Sequence, residues 1–187
     1  MTLRRLYGSS PIAVTTIALA PRVGAALGDV EEFTTVGMRS RFTVIGTIDA
    51  RIPHLIAGGR GGAIVFTSST AGLRGFGGLQ GGGLGYAASK HGLVGLMRTL
   101  ANALAPLDIR VNTVHPTAVN TMMAVNPAMT SFLEHYPDGG PHLQNPMPVE
   151  LLEPGEISAA IAYLVSDDAK HVTGVTFPVD AGFCNKL

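Results

Sequence analysis

Cysteine is almost absent from this chain. Cys184 stands alone among 187 residues, so no internal disulfide can form, and a reducing compartment suits it. Charge is scarce as well. Thirteen basic and thirteen acidic residues cancel to a formal net charge of +0, and charged residues make up only 14% of the chain. No basic patch argues for a nucleic-acid partner. No apolar run reaches the ~18 residues of a membrane span. The histidines (His54, His91, His115, His135, His142 and His171) lack the His-x-x-x-His spacing of a metal site, so no metal is expected. Arg4 and Arg5 ahead of an apolar stretch to Ala20 look like a secretory leader. Pro11 and the Thr15-Thr16 pair interrupt that pattern, and a cytoplasmic location is the expectation.

What is present is apolar and glycine-rich. A mean hydropathy of +0.31 points to much buried surface, subunit interfaces included. The 24 glycines point to tight or mobile loops. The length suits one domain.

The most informative stretch is Tyr86-Ala-Ala-Ser-Lys90. Residues i and i+4 share a helix face, so the phenol and the ammonium can meet. An ammonium beside a phenol favours the phenolate and lowers its pKa from about 10. That would make Tyr86 a general acid/base suited to a carbinol or carbonyl oxygen. An isolated pair of this kind is most simply a solvated helix turn; the residues upstream change that balance. Gly62-Ala-Ile-Val-Phe-Thr67 reads as a buried strand ending at Ser68-Ser69. A serine there, followed by a loop and the Tyr/Lys helix, fits a site at the carboxyl edge of a parallel sheet.

With Arg110-Val-Asn-Thr-Val-His-Pro116 and Thr173-Gly-Val-Thr-Phe-Pro-Val-Asp-Ala-Gly182, these motifs resemble the short-chain dehydrogenase/reductase family in order and spacing. The resemblance runs from about residue 43 to the end. The glycine-rich insert before Tyr86 and the ending look most like carveol-dehydrogenase-like, mycofactocin-associated members. The resemblance implies a Rossmann-like doubly wound α/β fold with a parallel sheet, truncated or atypical at its N-terminus. It implies Ser69, Tyr86 and Lys90 as catalytic residues. Tyr86 would exchange the proton with the substrate oxygen, Ser69 would donate to that oxygen, and Lys90 would lower the tyrosine pKa and hold the nicotinamide ribose. Ser69 is preferred to Ser68 because the family uses the second serine. Tyr86, Lys90, Pro116, Val119 and Thr121 are the expected contacts to NAD, with NADP possible. The expected partners are a small hydrophobic alcohol or ketone and further copies of the chain, as a homotetramer.

Two positions depart from the family pattern. Thr117 stands where the family has glycine, so the turn is expected to differ. Thr43-Val-Ile-Gly46 stands where the family has Asn-x-x-Gly on a helix, and the Asn that holds a relay water is missing. More is missing in residues 1–42, the atypical first segment. A Gly-x-x-x-Gly-x-Gly turn should follow the first strand and cradle the pyrophosphate. Pro11 to Ala20 could form one strand, yet no such turn follows. Gly77 to Gly83 matches the pattern formally, but it follows no strand directly and reads as a flexible flank of the site. A wrong start or a frameshift would explain the gap, and translating the upstream DNA in three frames would test it.

Residues 43–187 form the expected catalytic part. Residues 47–57 read as a helix kinked or broken at Pro53 and stopped by Gly58-Gly59. The Tyr86 helix runs to Ala105 with Leu93, Leu96, Met97, Leu100 and Leu104 on one stripe. A strand over 108–114, a helix over 156–166 and an edge strand over 174–179 follow. Residues 117–155 lack periodicity and, by resemblance, form the substrate lid. Met122, Met123, Met129, Phe132, Leu133 and Tyr136 would give it an apolar wall. The leading expectation is an NAD(P)-dependent oxidoreductase of secondary alcohols and ketones. The rivals are an inactive remnant acting through its oligomer interface, and a Ser-Tyr-Lys hydrolase. The hydrolase is disfavoured because no nucleophile elbow surrounds Ser69.

Overall fold

The computed structural model describes residues 12–15, 30–35, 38–43, 48–75, 81–135 and 142–186. Strand β1 (Ile12–Thr15), hairpin strands β2 (Val30–Thr35) and β3 (Met38–Thr43), helix α1 (Ile48–Gly58) and strand β4 (Gly62–Thr67) come first. Helix α2 (Gly81–Leu104), strand β5 (Ile109–Pro116), helices α3 (Pro127–His135) and α4 (Pro154–Val165) and strand β6 (Thr176–Val179) complete the order. One sheet has the order β1-β4-β5-β6 with every pairing parallel; β2 and β3 pair antiparallel in a second sheet.

The four-stranded sheet is covered on both faces, which explains why β4 reads as an unbroken apolar run. Ile64, Phe66, Ile109 and Val111 point to one face and pack with Leu55 of α1 and Val94, Met97, Ala101 and Leu104 of α2. Ala63, Val65 and Val114 point to the other and pack with Ile157, Leu164 and Val165 of α4. A parallel sheet sandwiched this way is the Rossmann-like doubly wound arrangement. Among the described residues β6 is an edge strand of this sheet, where Pro178 costs no ladder bond to a further strand.

Several boundaries differ from expectation. Helix α1 runs through Pro53 without a break, giving up one i→i−4 bond. It stops where expected, with Gly59 at φ +59°. Helix α2 begins at Gly81, so Gly81 to Gly83 are helical rather than a flexible flank. Each helical glycine forgoes about 1 kcal/mol relative to alanine, so the apolar stripe downstream carries this helix. Thr43 closes strand β3 rather than lying on a helix; residues 44–46 lie outside the described residues, as does any turn after β1.

Candidate active site

Strand β4 ends with Thr67 level with Val114, two residues before parallel strand β5 ends, and the chain past β4 leads directly into the site. Ser68 and Ser69 face opposite tasks, as alternation along an extended chain requires. Ser68 is buried and its hydroxyl donates to the Lys90 carbonyl at 3.0 Å, joining β4 to α2. Ser69 caps the 3₁₀ turn over Thr70–Gly72 in extended geometry, its Oγ accepting the Ala71 N–H at 3.2 Å. With its lone pair engaged there, the Ser69 hydroxyl keeps its proton free to act on the Tyr86 oxygen, and its influence lowers the phenol pKa.

Tyr86 and Lys90 lie on one face of α2, as their spacing predicts. The Lys90 ammonium sits 5.5 Å from the Tyr86 ring centroid and donates to the Thr67 carbonyl at 3.1 Å. This tether turns Lys90 toward the end of β4 and over the ring face. The expected lowering of the tyrosine pKa is therefore not what prevails. Burial pushes the Tyr86 phenol above its ordinary value, and the Ser69 hydrogen bond only partly offsets this. Burial also pushes the Lys90 ammonium below its ordinary value.

His115 is fully buried near the end of β5 and contacts the Ser69 backbone. Its Nδ1 lies 2.8 Å from the Ser69 carbonyl and its Nε2 2.7 Å from Thr113 Oγ1. A carbonyl only accepts, so Nδ1 carries the hydrogen and Nε2 accepts from the threonine hydroxyl. Burial holds the ring below its ordinary pKa, against the pull of that backbone bond. Sequence placed His115 beside the site; the contact with Ser69, 46 residues away, has no local signal.

Beyond β5 the chain is pinned. Pro116 is buried at the strand end. Val119 bridges Leu152 in parallel, through Asn120 N–H to the Leu152 carbonyl and Leu152 N–H to the Ala118 carbonyl. The bridge uses the flanking amides and leaves the peptide groups of Val119 itself outside it. Thr121 is exposed, its hydroxyl donating to the Val119 carbonyl at 3.3 Å. Thr117, at the position of the missing glycine, donates from Oγ1 to Asn145 Oδ1 at 3.0 Å. Asn145 in turn donates to the Val149 carbonyl at 2.8 Å. The apolar wall is not assembled as expected. Met122 and Met123 are 85% and 63% exposed and Met129 is half-buried. The side chains of Phe132 and Leu133, and all of Tyr136, lie outside the described residues.

The C-terminal segment closes the flank. Arg74 Nη1 donates to the Phe183 carbonyl at 2.9 Å and the Lys186 carbonyl at 3.3 Å. Lys186 Nζ in turn donates to the carbonyls of His142 and Gln144. Among the described residues no cluster of metal-ligating side chains occurs, and no helix is long and apolar enough to cross a membrane.

A family model described as enoyl-(acyl carrier protein) reductase matches residues 2–184. An uncharacterized oxidoreductase of Mycobacterium tuberculosis is 54% identical over 144 residues, covering 76% of this chain and 53% of that protein. The (-)-trans-carveol dehydrogenase of Rhodococcus erythropolis is 43% identical over 150 residues, covering 73% of this chain and 50% of that one. The crystal structure of carveol dehydrogenase from Mycobacterium avium in complex with NAD superposes with a TM-score of 0.68 at 39% identity. That match covers 75% of this chain and 52% of the other. The chain thus spans about half the length of the curated relatives it matches.

Proposed function

The chain belongs to the short-chain dehydrogenase/reductase family, and on that premise we propose that it interconverts a hydrophobic secondary alcohol and its ketone with NAD. The observation that carries the reading is the convergence of Ser69, Tyr86 and Lys90 at the end of β4. The nicotinamide ring of bound NAD supplies or accepts the hydride; the chain's own residues move the proton and orient the substrate. The residues present fit that end of the nucleotide. Val119 keeps its peptide groups outside the bridge, as a carboxamide contact needs, and Pro116 and Thr121 flank it. Lys90 would hold the ribose, and NADP is the alternative nucleotide.

Tyr86 passes its phenolic proton to the carbonyl oxygen in reduction and recovers it in oxidation. Ser69 donates to the same oxygen and holds it within reach of the phenol. The phenol, kept neutral by burial, is the acid form that reduction requires. Residues 117–155 act as the lid, and their methionines would close over an apolar substrate. The partner set is completed by further copies of the chain as a tetramer, in the cytoplasm.

Calorimetry of the purified chain with NAD(H) and NADP(H), joined to turnover of cyclic secondary alcohols, tests the proposal. Binding with turnover that falls at least about a hundredfold in Tyr86→Phe is expected. No binding at millimolar nucleotide would leave the reading in which the chain acts only through its oligomer interface.

A further inference from the structure

The proton-transfer pair has a support that the mechanism above does not use. Thr113, His115 and the Ser69 peptide form one hydrogen-bonded line, Thr113 Oγ1 to Nε2 at 2.7 Å and Nδ1 to the Ser69 carbonyl at 2.8 Å. Thr113 and His115 are both fully buried, so each unmade bond would carry a full desolvation cost. Alternation along β5 puts both side chains on one face, the face of α2. Within its own turn Ser69 is held by short-range bonds, its carbonyl accepting the Gly72 N–H at 2.9 Å and its Oγ the Ala71 N–H at 3.2 Å, and His115 ties the same carbonyl to β5. The Ser69 backbone is extended at φ −168° and ψ 164°, and the turn it caps is only three residues long.

We infer that His115 is a positioning residue for proton transfer: its Nδ1–H fixes the Ser69 peptide so that the Ser69 hydroxyl stays on the Tyr86 oxygen. The inference rests on the Ser69–Tyr86 reading of the site. It assigns the ring no proton transfer of its own, because Nδ1–H is spent on a carbonyl and Nε2 on a hydroxyl. The neutral ring gives Thr113 Oγ1 its short acceptor at 2.7 Å; a charged ring would leave that hydroxyl only the Val175 carbonyl at 3.5 Å. The surroundings favour the neutral form: burial acts first, Lys90 and His91 repel a charge, and Asp180 opposes them.

The consequence is readable at Tyr86. The Ser69 bond lowers the phenol pKa against the effect of burial, so a loosened Ser69 should let it rise. The test uses the whole chain, with the histidine tautomer read by ¹⁵N NMR and the Tyr86 titration by ¹³C NMR, assigned with Tyr86→Phe. The expected result is an Nδ1–H ring in the wild type and an upward-shifted Tyr86 midpoint in His115→Leu. His115→Asn, whose amide N–H falls near the Nδ1 position, should titrate as wild type. Should His115→Leu not fold, His115→Gln replaces it, with its amide at the Nε2 distance and the same rise expected. An Nε2–H ring, or a folded Leu or Gln variant with an unmoved midpoint, overturns the inference. None of these readouts needs nucleotide, so failure of the hydride-transfer proposal would appear separately, in the calorimetry. Where turnover is measurable, kcat should fall about ten- to a hundredfold in the Leu or Gln variant with nucleotide affinity kept.

Discussion

At Tyr86 and Lys90, burial favours the neutral phenol and the neutral amine alike. Oxidation of an alcohol needs the phenolate. Its kcat/KM should therefore climb through the alkaline range up to the raised Tyr86 value, and Ser69→Ala should move that limb to still higher pH. A pH–rate profile checks this, and a plateau already reached at pH 7 would contradict it. Cys184 offers a second test. Burial and the Asp180 carboxylate, which accepts the thiol hydrogen, push its pKa up to about 11. Little thiolate exists at pH 8, so alkylation by iodoacetamide should be slow and should quicken in Asp180→Asn. Asp180 also accepts the Gly182 and Cys184 N–H groups at 3.1 and 2.8 Å, so thermal unfolding of that variant should be followed alongside.

Between elements, a tight junction lies where the 3₁₀ turn meets α2. A Cβ on Gly72 would stand 2.5 Å from Ser68 Oγ and 2.7 Å from the Lys90 carbonyl. The carbonyl belongs to a helix and cannot retreat. Gly72→Ala should cost about 1–3 kcal/mol by denaturant unfolding, and it should disturb Lys90 as well. The segment after β5 behaves differently. Thr117→Val removes the bond to Asn145, worth about 1 kcal/mol, from a region that packs little of the core. Stability should change slightly while KM for the alcohol rises; an unchanged KM would separate this contact from substrate binding. Sequence flagged Thr117 only as a departure from glycine. Its partner lies 28 residues on, in a stretch with no periodicity, so the contact had no local signature. Strand β4 and the stripe on α2 were legible because apolar periodicity reports burial directly. The start of α2 was not, because three glycines argue locally against a helix that packing downstream sustains.

Across the whole molecule, a sheet covered on both faces brings residues from distant segments to one edge. The order of Ser69, Tyr86 and Lys90 along β4 and α2 was readable, since Ser69 follows a strand with an unbroken apolar run and Tyr86 and Lys90 stand four apart on a helix. His115 was readable as a neighbour but not as a partner, because a hydrogen bond between two strand ends leaves no periodic trace. This burial also shapes stability. The folded His115 pKa is depressed from 6.5, so the unfolded chain binds the proton first as pH falls. Its contribution is complete above pH 6.5 and is lost as pH falls through the lower folded value. Thermal midpoints should drop on acidification from pH 7, and His115→Asn should flatten that part of the slope. An unaltered slope would place the acid sensitivity elsewhere.

The bonds from Arg74 to the Phe183 and Lys186 carbonyls join residues 109 and 112 positions apart. Translation at roughly 5–20 residues per second delivers those acceptors roughly 5–20 s after the arginine itself. During that interval β4, the serine turn and α2 can form before the guanidinium has these two carbonyls to bond. The flank of the site is thus set by the order of synthesis: its donor waits on the ribosome's progress, and the site is finished from behind.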